Sequence, residues 1–369
     1  MMRVSDIAEI VETWAPRWTA WEKDNVGLQV GDRTRPVRRV GVALEVTSAV
    51  VREAVRGRWD MVVSHHPLLF RPPRTITRDH PTGGVALALA EHKIAAYAAH
   101  TNLDFAPEGV SITLAKTLGL QDVRFLSPLP AVMCKLMVFV PIGHEEPVLE
   151  ALAAAGAGVI GEYSHCSFRS PGIGTFKASH RASPMIGKTG RIESTDETRI
   201  EVLVPRARSR EAVERVRAVH PYDEMAYDLI PVETPDVNHG MGAVGMLPRS
   251  TSLASFVRTI QRRLKTAGIR FSGDPRMSIR NVAVCGGAGV DLLPDALRSD
   301  VDAFVTADIK YHAFHGLPPG FGLIDAGHGE TEQVILKPLT ERLRAGARSR
   351  GQQLDVILSR TRTNPVQST

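Results

Sequence analysis

Histidine and acidic residues fall into three short clusters in this chain, and each cluster follows a predicted strand. The clusters are Ser64-His65-His66-Pro67, His100-Thr101-Asn102-Leu103-Asp104 and the segment from His328 to Glu332. In an open α/β sheet, ligands bind in the crevice outside the carboxyl ends of the strands. Three clusters at such ends can converge on one site, provided that the two terminal parts of the chain fold together.

Strands that alternate with helices predict parallel βαβ units in both terminal parts of the chain. The apolar patterns predict strands at 40–44, 61–63, 94–99, 281–285, 303–305, 323–324 and 354–358, and helices at 3–14, 48–56, 86–92 and 253–264. We therefore expect an α/β protein whose two-lobed mixed α/β core is discontinuous. This metal-binding core comprises residues 1–130 and 236–369.

The segment between these parts, residues 131–235, has a pattern of its own. A strand that ends in Val-Pro and is followed by a helix occurs twice, first over 136–155 and then over 200–219, and a further strand is predicted at 228–232. This order is typical of a ferredoxin-like β-α-β-β-α-β arrangement. We expect an inserted α+β domain, because long surface loops tolerate such insertions.

Composition excludes several classes of protein but selects no activity. The net charge of +5, from 45 basic and 40 acidic side chains, is too even to indicate nucleic-acid binding. No apolar stretch reaches the roughly 18 residues of a membrane span, and the N-terminal residues lack the layout of a signal peptide. Three isolated cysteines argue against a disulfide framework. We expect a cytoplasmic protein.

The residue types in the three clusters predict a metal centre. His328 and Glu332 are four residues apart, which places them on one face of a helix. Both rings of the adjacent His65-His66 pair can reach one centre only where the strand has ended, as Pro67 suggests. A single histidine after a strand more often has a structural role, in which hydrogen bonds hold its ring. Three clusters together nevertheless favour a shared site.

The predicted ligands outnumber those of one tetrahedral zinc ion. With a bridging carboxylate they suit two divalent ions roughly 3.5–4 Å apart, an arrangement that activates water for hydrolysis. Imidazole and carboxylate without thiolate suit zinc, manganese, iron or nickel. The predicted ligands are His65, His66, Asp104, His328 and Glu332.

Other residues have weaker claims to the site. Glu45 ends a predicted strand and is a candidate acid or base near the metals. Arg71 and Arg74 could hold substrate phosphates, although a solvated loop explains them as well. The glycine-rich run 286–289 is either a weak anion site or a tight turn. His312 and His315 are expected at the surface or behind the ligands.

Several stretches together resemble the NIF-three-like dinuclear metal centre proteins, also called GTP cyclohydrolase I type 2 homologues. The similarity extends nearly from end to end, and the inserted segment is similar to the PII/CutA-like module of the longer members. The matching stretches are Asp24-Asn25-Val26-Gly27-Leu28, Ser64 to Leu68, His100 to Asp104, Thr306 to His312 and Asp325 to Glu332.

This resemblance implies two metals bound by the five predicted ligands, with His100 close by, in a homohexamer whose sites face an internal cavity. It also implies hydrolysis of GTP to formate and 7,8-dihydroneopterin triphosphate. Members of the family usually carry Asp where this chain has Glu45, which puts an acid–base role there in question. Two alternatives stay open: a two-metal phosphoesterase that acts on another nucleotide, and a regulatory metal-binding hexamer without enzymatic activity.

Overall fold

The computed structural model describes residues 1–71, 73–130, 132–266 and 268–367. The chain forms two compact units. The core unit combines Met1–Ser127 with the segment from His239 onward, and the inserted unit is Pro128–Asn238.

The strands and helices follow one another along the chain in an alternating order. The strands are β1 (Met2–Arg3), β2 (Gly27–Val30), β3 (Pro36–Val37), β4 (Arg39–Ala43), β5 (Met61–Ser64), β6 (Ala95–Ala98), β7 (Gln121–Leu129), β8 (Met133–Pro141), β9 (Phe168–Lys177), β10 (Ile192–Pro205), β11 (Tyr227–Val232), β12 (Asp236–Ser252), β13 (Arg270–Ser272), β14 (Ser278–Val284), β15 (Ala303–Thr306), β16 (Gly322–Asp325) and β17 (Asp355–Leu358). The α-helices are α1 (Val4–Trp14), α2 (Ser48–Gly57), α3 (Pro81–Glu91), α4 (Thr101–Asp104), α5 (Val110–Thr117), α6 (Glu145–Ala154), α7 (Ser209–Val219), α8 (Leu253–Leu264), α9 (Leu293–Arg298), α10 (His328–Glu332) and α11 (Leu336–Ser349).

The first sheet of the core unit has the strand order β17-β4-β5-β6-β2. Its first four strands are parallel, as predicted, and β2 pairs with β6 in the antiparallel direction. Strand β2 was not predicted, because a short edge strand with half-buried residues lacks a clear alternation.

The second sheet of the core unit has the order β13-β16-β15-β14-β12-β7. Strands β14, β15 and β16 are parallel, whereas β12 and β13 pair with their neighbours in the antiparallel direction. The prediction of a mixed α/β core is thus confirmed. Strands β7 and β12 were missed, because polar residues and glycines interrupt their apolar pattern.

The central parallel strands explain the position of the three clusters. Every residue of β5, β6, β15 and β16 is buried, as expected of parallel strands that are covered on both faces. The clusters begin at the carboxyl ends of β5, β6 and β16 or within three residues of them. Two sheets therefore contribute ligand-type residues, each from the edge that the sequence pattern indicated.

The inserted unit contains an antiparallel sheet with the order β11-β8-β10-β9. Helices α6 and α7 contribute Leu152 and Val216 to an apolar core with Leu136, Val138 and Ile200 of the sheet. The chain order β8-α6-β9-β10-α7-β11 is the predicted β-α-β-β-α-β arrangement. Strand β9 was not predicted, because its side chains are mostly exposed.

Among the residues that the structure describes, no helix combines the length and the apolar character that crossing a membrane requires.

Candidate metal centre

His65 and His66 lie directly after β5 and extend its ladder toward β4. The backbone N–H of His65 donates to Ala43 O, and that of His66 donates to Leu44 O. The ring of His65 is buried, and that of His66 is about three-quarters buried. The end of the strand lets both rings approach one centre, as the Pro67 argument required.

His100 and Asp104 bracket the short helix α4. His100 is the residue before the helix, and Asp104 is its last residue. The carboxylate of Asp24 accepts from the Thr101 backbone N–H at 3.1 Å and from the Thr101 hydroxyl. Asp24 thus fixes the start of α4 from another part of the chain.

Helix α10 carries His328 and Glu332 at its two ends. It begins after Gly327, whose φ of +89° is a conformation that glycine adopts without strain. His328 Nε2 lies 3.1 Å from Glu332 Oε1. This contact confirms that the two side chains share one face of the helix.

The side chains from the two sheets meet at Glu332. His66 Nε2 lies 2.9 Å from Glu332 Oε2, and His65 Nε2 lies 3.7 Å from Glu332 Oε1. Asp104 Oδ1 lies 3.7 Å from His65 Nε2. The structure therefore brings all five predicted ligands together, from segments that are far apart in the sequence.

Two compact groups of ligand atoms lie within this cluster, and His66 belongs to both. His65, His66 and His100 form one group, and His66, His328 and Glu332 form the other, with the ligand atoms of each group within 4.8 Å of one another. Asp104 is outside both groups, although it contacts His65. We expected His100 only to lie close to the metals. Its place in the first group makes it as suitable a ligand as the predicted ones.

The four imidazoles share one arrangement: each Nδ1 faces an oxygen acceptor of the protein. Because a carbonyl or carboxylate oxygen only accepts, Nδ1 carries a proton, and in the neutral ring Nε2 is left with its lone pair. This arrangement is characteristic of metal-binding histidines. The Nδ1 partners are Ala99 O for His65 (2.9 Å), Glu45 Oε1 for His66 (3.3 Å), Asp24 for His100 (3.0 Å) and Asp308 Oδ2 for His328 (2.7 Å).

One buried polar atom at the centre of the cluster lacks a hydrogen bond within the described residues. It is His65 Nε2, whose nearest carboxylate oxygens, on Asp104 and Glu332, lie 3.7 Å away. An unsatisfied buried group costs about 1–3 kcal/mol, so a fold retains it where a ligand supplies the missing partner. A divalent cation is such a ligand for an imidazole nitrogen and a carboxylate oxygen, so the residues present fit a metal.

Gly287 provides space for Glu332. A Cβ atom at this position would lie 2.1 Å from Glu332 Oε1, and the φ of +64° also favours glycine. The backbone N–H of Gly287 donates to the Thr331 hydroxyl, and that of Gly289 donates to the Thr306 hydroxyl. These partners satisfy the amides of Gly287 and Gly289, which favours the packed turn over the anion site.

The carboxylates and imidazoles of the cluster shift each other's proton affinity. Burial opposes charge on His66, but the carboxylates of Glu332 and Glu45 raise the pKa of His66 to about 10. The hydrogen bond to Glu332 raises the pKa of His328 to about 9. Burial raises the pKa of Asp104 to about 6. A cation that binds here must displace protons, as metal ligation generally does.

The remaining predicted residues divide between the site and the surface. Glu45 reaches the site through its contact with His66, and its Oε2 is buried without a hydrogen bond among the described residues. Arg71 and Arg74 are exposed on the loop that follows Pro67, and no described contact brings either to the cluster. His312 and His315 are exposed beside Tyr311 and belong to neither ligand group.

Sequence reasoning assigned no role to Asp24 or Asp308 and did not pair Gly287 with Glu332, although all three lie in stretches that it singled out. The two aspartates contact histidines 76 and 20 residues away. One local pattern could have indicated Gly287, because a glycine pair directly after a strand marks a close backbone approach. Nothing in the local sequence pairs Asp24 with His100.

Comparison with known proteins places these residues in a larger group. The profile of the family described as Duf34/NIF3 (NGG1p interacting factor 3) matches residues 2–365. A protein of Bacillus subtilis (strain 168) named GTP cyclohydrolase 1 type 2 homolog is 37% identical over 361 residues, which are 97% of this chain and 96% of that protein. A Mycobacterium tuberculosis protein of the same name is 38% identical over 90% of this chain and 88% of its own length.

A solved structure agrees with this similarity. The Bacillus cereus protein described as related to NIF3 superimposes with a TM-score of 0.86 at 35% identity, and covers 100% of this chain and 99% of that one. The architecture described above is therefore shared over the whole chain.

Proposed function

The chain belongs to the Duf34/NIF3 family, and from this membership and the geometry of the cluster we propose that it binds two divalent metal ions and catalyses a metal-dependent hydrolysis. The observation that carries the proposal is the arrangement of the four histidines. Each has its Nδ1 held by the protein, while His65 Nε2 is buried without a hydrogen bond among the described residues. Such a centre suits zinc, manganese, iron or nickel.

The ligands in this proposal are the five predicted residues, with His100 as a further candidate. Glu332 would hold metal together with three histidines, because its Oε1 lies near His65 and His328 and its Oε2 lies near His66. Asp104 Oδ1 lies 3.7 Å from His65 Nε2, the same distance as Glu332 Oε1. The cluster holds more ligand-type side chains than the four that a single tetrahedral zinc ion takes, and this number favours two ions over one.

When bound, ions at such a cluster lower the pKa of water and supply a nucleophile near neutral pH. The protein's own groups orient this chemistry. Glu45 accepts from His66 Nδ1 and so fixes the His66 ring, while its second oxygen is available to a proton. Asp24 holds His100 in the same way. Glu45 and His100 are accordingly our candidates for proton transfer.

For the substrate, we propose GTP, converted with water to formate and 7,8-dihydroneopterin triphosphate. The support is the name that the relatives carry, GTP cyclohydrolase 1 type 2 homolog. Arg71 and Arg74, exposed on the loop after Pro67, are our candidates to bind the triphosphate. The alternatives are a two-metal phosphoesterase for another nucleotide and a regulatory protein without turnover.

Product analysis separates these alternatives. The protein is loaded with zinc, manganese or iron, its metal content is measured, and it is incubated with GTP before chromatography and mass spectrometry. Metal-dependent release of formate supports the ring-opening reaction, and release of inorganic phosphate supports the phosphoesterase. A metal-loaded protein that leaves GTP unchanged contradicts the GTP proposal and favours a regulatory role.

We also propose a cytoplasmic homohexamer in which the inserted unit is a PII/CutA-like domain. The β-α-β-β-α-β order of that unit supports the domain assignment, and the hexamer follows from the resemblance. Light scattering of the purified protein tests the assembly, and a monomer in solution would contradict it.

A further inference from the structure

An exposed aromatic ring lies beside the metal cluster. The side chain of Phe70 is 49% exposed, although its neighbours on the cluster side are largely buried. Its ring centroid lies 6.0 Å from that of His100, at an interplanar angle of 89°. An edge-to-face contact of this kind uses one edge or face of the phenyl ring and leaves the rest accessible.

Two side chains hold the backbone beside Phe70 in place. They are Asn25, which precedes β2, and Gln29, which lies within β2. The Leu69 N–H donates to Gln29 Oε1 at 3.0 Å, and the Leu69 carbonyl accepts from Asn25 Nδ2. Gln29 in turn donates to the Asn25 carbonyl at 2.8 Å. These bonds fix the position of a residue that would otherwise belong to a free loop.

The same segment also orients His100. Asp24 accepts from His100 Nδ1, and the next residue, Asn25, holds Leu69. The consecutive residues Asp24 and Asn25 therefore hold His100, a candidate ligand, and the backbone next to the exposed ring of Phe70. An exposed apolar residue that only fills space needs no such support, whereas a binding surface requires a fixed position.

An exposed arginine follows Phe70 in the sequence, and a second exposed aromatic residue is hydrogen-bonded to the neighbour of His100. Arg71 follows Phe70 directly and is exposed. Trp21 is 53% exposed, and its backbone N–H donates to the hydroxyl of Thr101, the residue after His100. Aromatic faces bind planar rings by stacking, and arginine binds phosphate.

From these contacts we propose that Phe70 is the stacking platform for a planar heteroaromatic ring of the substrate, and that Arg71 faces its anionic substituent. The ligand class is a phosphorylated heterocycle such as a nucleotide. This inference rests on the proposed function, since it places a substrate ring beside the metal cluster. It adds a specificity-determining residue that neither the metal ligands nor the relatives' name supplies.

The test compares Phe70→Ala, Phe70→Trp and the unchanged chain, all as metal-loaded full-length protein. Tyr163→Ala is the matched control, because Tyr163 is a 75% exposed aromatic residue of the inserted unit. Isothermal titration measures binding of GTP, ATP, CTP and UTP, with inorganic triphosphate as the probe that lacks a ring. Metal content and subunit number are measured for every variant.

We expect Phe70→Ala to weaken nucleotide binding about tenfold or more, which is the scale of one base–aromatic stack. Phe70→Trp should restore binding, since indole also stacks. Affinity for inorganic triphosphate should be the same in all variants, and Tyr163→Ala should bind every probe like the unchanged chain.

Three results would overturn the proposal. They are unchanged nucleotide affinity in Phe70→Ala, a change of metal content or subunit number in that variant, and no binding of any nucleotide by the metal-loaded unchanged chain. Failure of the proposed hydrolysis gives a different result, because nucleotides then bind through Phe70 without being converted. Conversely, GTP conversion with an unchanged KM in Phe70→Ala would refute the stacking platform alone.

Discussion

The two units of the molecule use buried histidine in opposite ways. In the inserted unit, His220 Nε2 donates to the Phe139 carbonyl at 3.0 Å, and its Nδ1 accepts from the Tyr222 N–H at 3.1 Å. In the core unit, His65 Nδ1 donates to the Ala99 carbonyl, but its Nε2 is buried without a hydrogen bond among the described residues. Both ring nitrogens of His220 form hydrogen bonds with the backbone, whereas only one ring nitrogen of His65 does.

This difference separates a structural histidine from a candidate ligand better than burial does, because both rings are buried. The pKa values of the two histidines are shifted in opposite directions. Burial lowers the pKa of His220, whereas nearby carboxylates outweigh burial and raise the pKa of His65. A histidine that stabilises the fold is thus kept neutral, while the cluster concentrates negative charge where a cation would bind.

The largest expected effect is the loss of metal after His66→Ala. His66 belongs to both ligand groups, so we expect the metal content to fall from two ions per subunit to one or none. Elemental analysis by mass spectrometry measures it. The matched variant His220→Ala should keep its metal and lose about 1–3 kcal/mol of unfolding free energy. Full metal content in His66→Ala would contradict the assignment of both groups.

Gly287→Ala should weaken metal binding nearly as much without removing a ligand. The new Cβ would collide with Glu332 Oε1, so we expect an affinity loss of about 100-fold or more, at the upper end of the scale for residues that support ligands. Gly143→Ala is the control, because its φ of +93° imposes similar strain and no atom lies within 4 Å. Equal metal affinity in the two variants would show that the Glu332 contact is unimportant.

Asp308→Ala should have a smaller effect, because it removes the partner of a ligand and not the ligand. Without the 2.7 Å contact to His328 Nδ1, the ring loses its orientation, and we expect metal affinity to fall about 10–100-fold. Competition with a chelator of known affinity measures this. The nearby exposed His312 gives the control His312→Ala, and an equal loss in that variant would contradict a specific role for Asp308.

An effect of a different kind is a pH dependence of stability. The pKa values of His66 and His328 rise from 6.5 to about 10 and about 9 in the folded chain. Their stabilising contribution is therefore complete below about pH 6.5 and is lost as the pH rises through about 9 and 10. We expect the unfolding free energy of the metal-free protein to fall over this range.

Metal should abolish this trend, because a bound cation replaces the protons and binds more tightly as the pH rises. Urea unfolding of chelator-treated and metal-loaded protein at about pH 6.5 and about pH 9.5 measures both trends. A metal-free protein that is as stable at the higher pH as at the lower one would contradict the proton sharing inferred for the cluster.

The sequence determined the elements that carry the site. Buried strands such as β5 have continuous apolar runs, and the change from apolar to polar residues marks their carboxyl ends, so the position of His65 and His66 was predictable. The spacing of His328 and Glu332 likewise fixed their shared helical face. Local patterns could do this because strand ends and helical faces depend on neighbouring residues.

The tertiary structure decided which atoms face each other. It paired Asp24 with His100 and Asp308 with His328, placed Gly287 against Glu332, and brought His100 into a ligand group beside the predicted set. It also formed the edge strand β2. This segment is a strand because it pairs with β6, and its own residue pattern does not predict one. These contacts join residues distant in sequence, and their geometry follows from the packing of two sheets, to which no local pattern is sensitive.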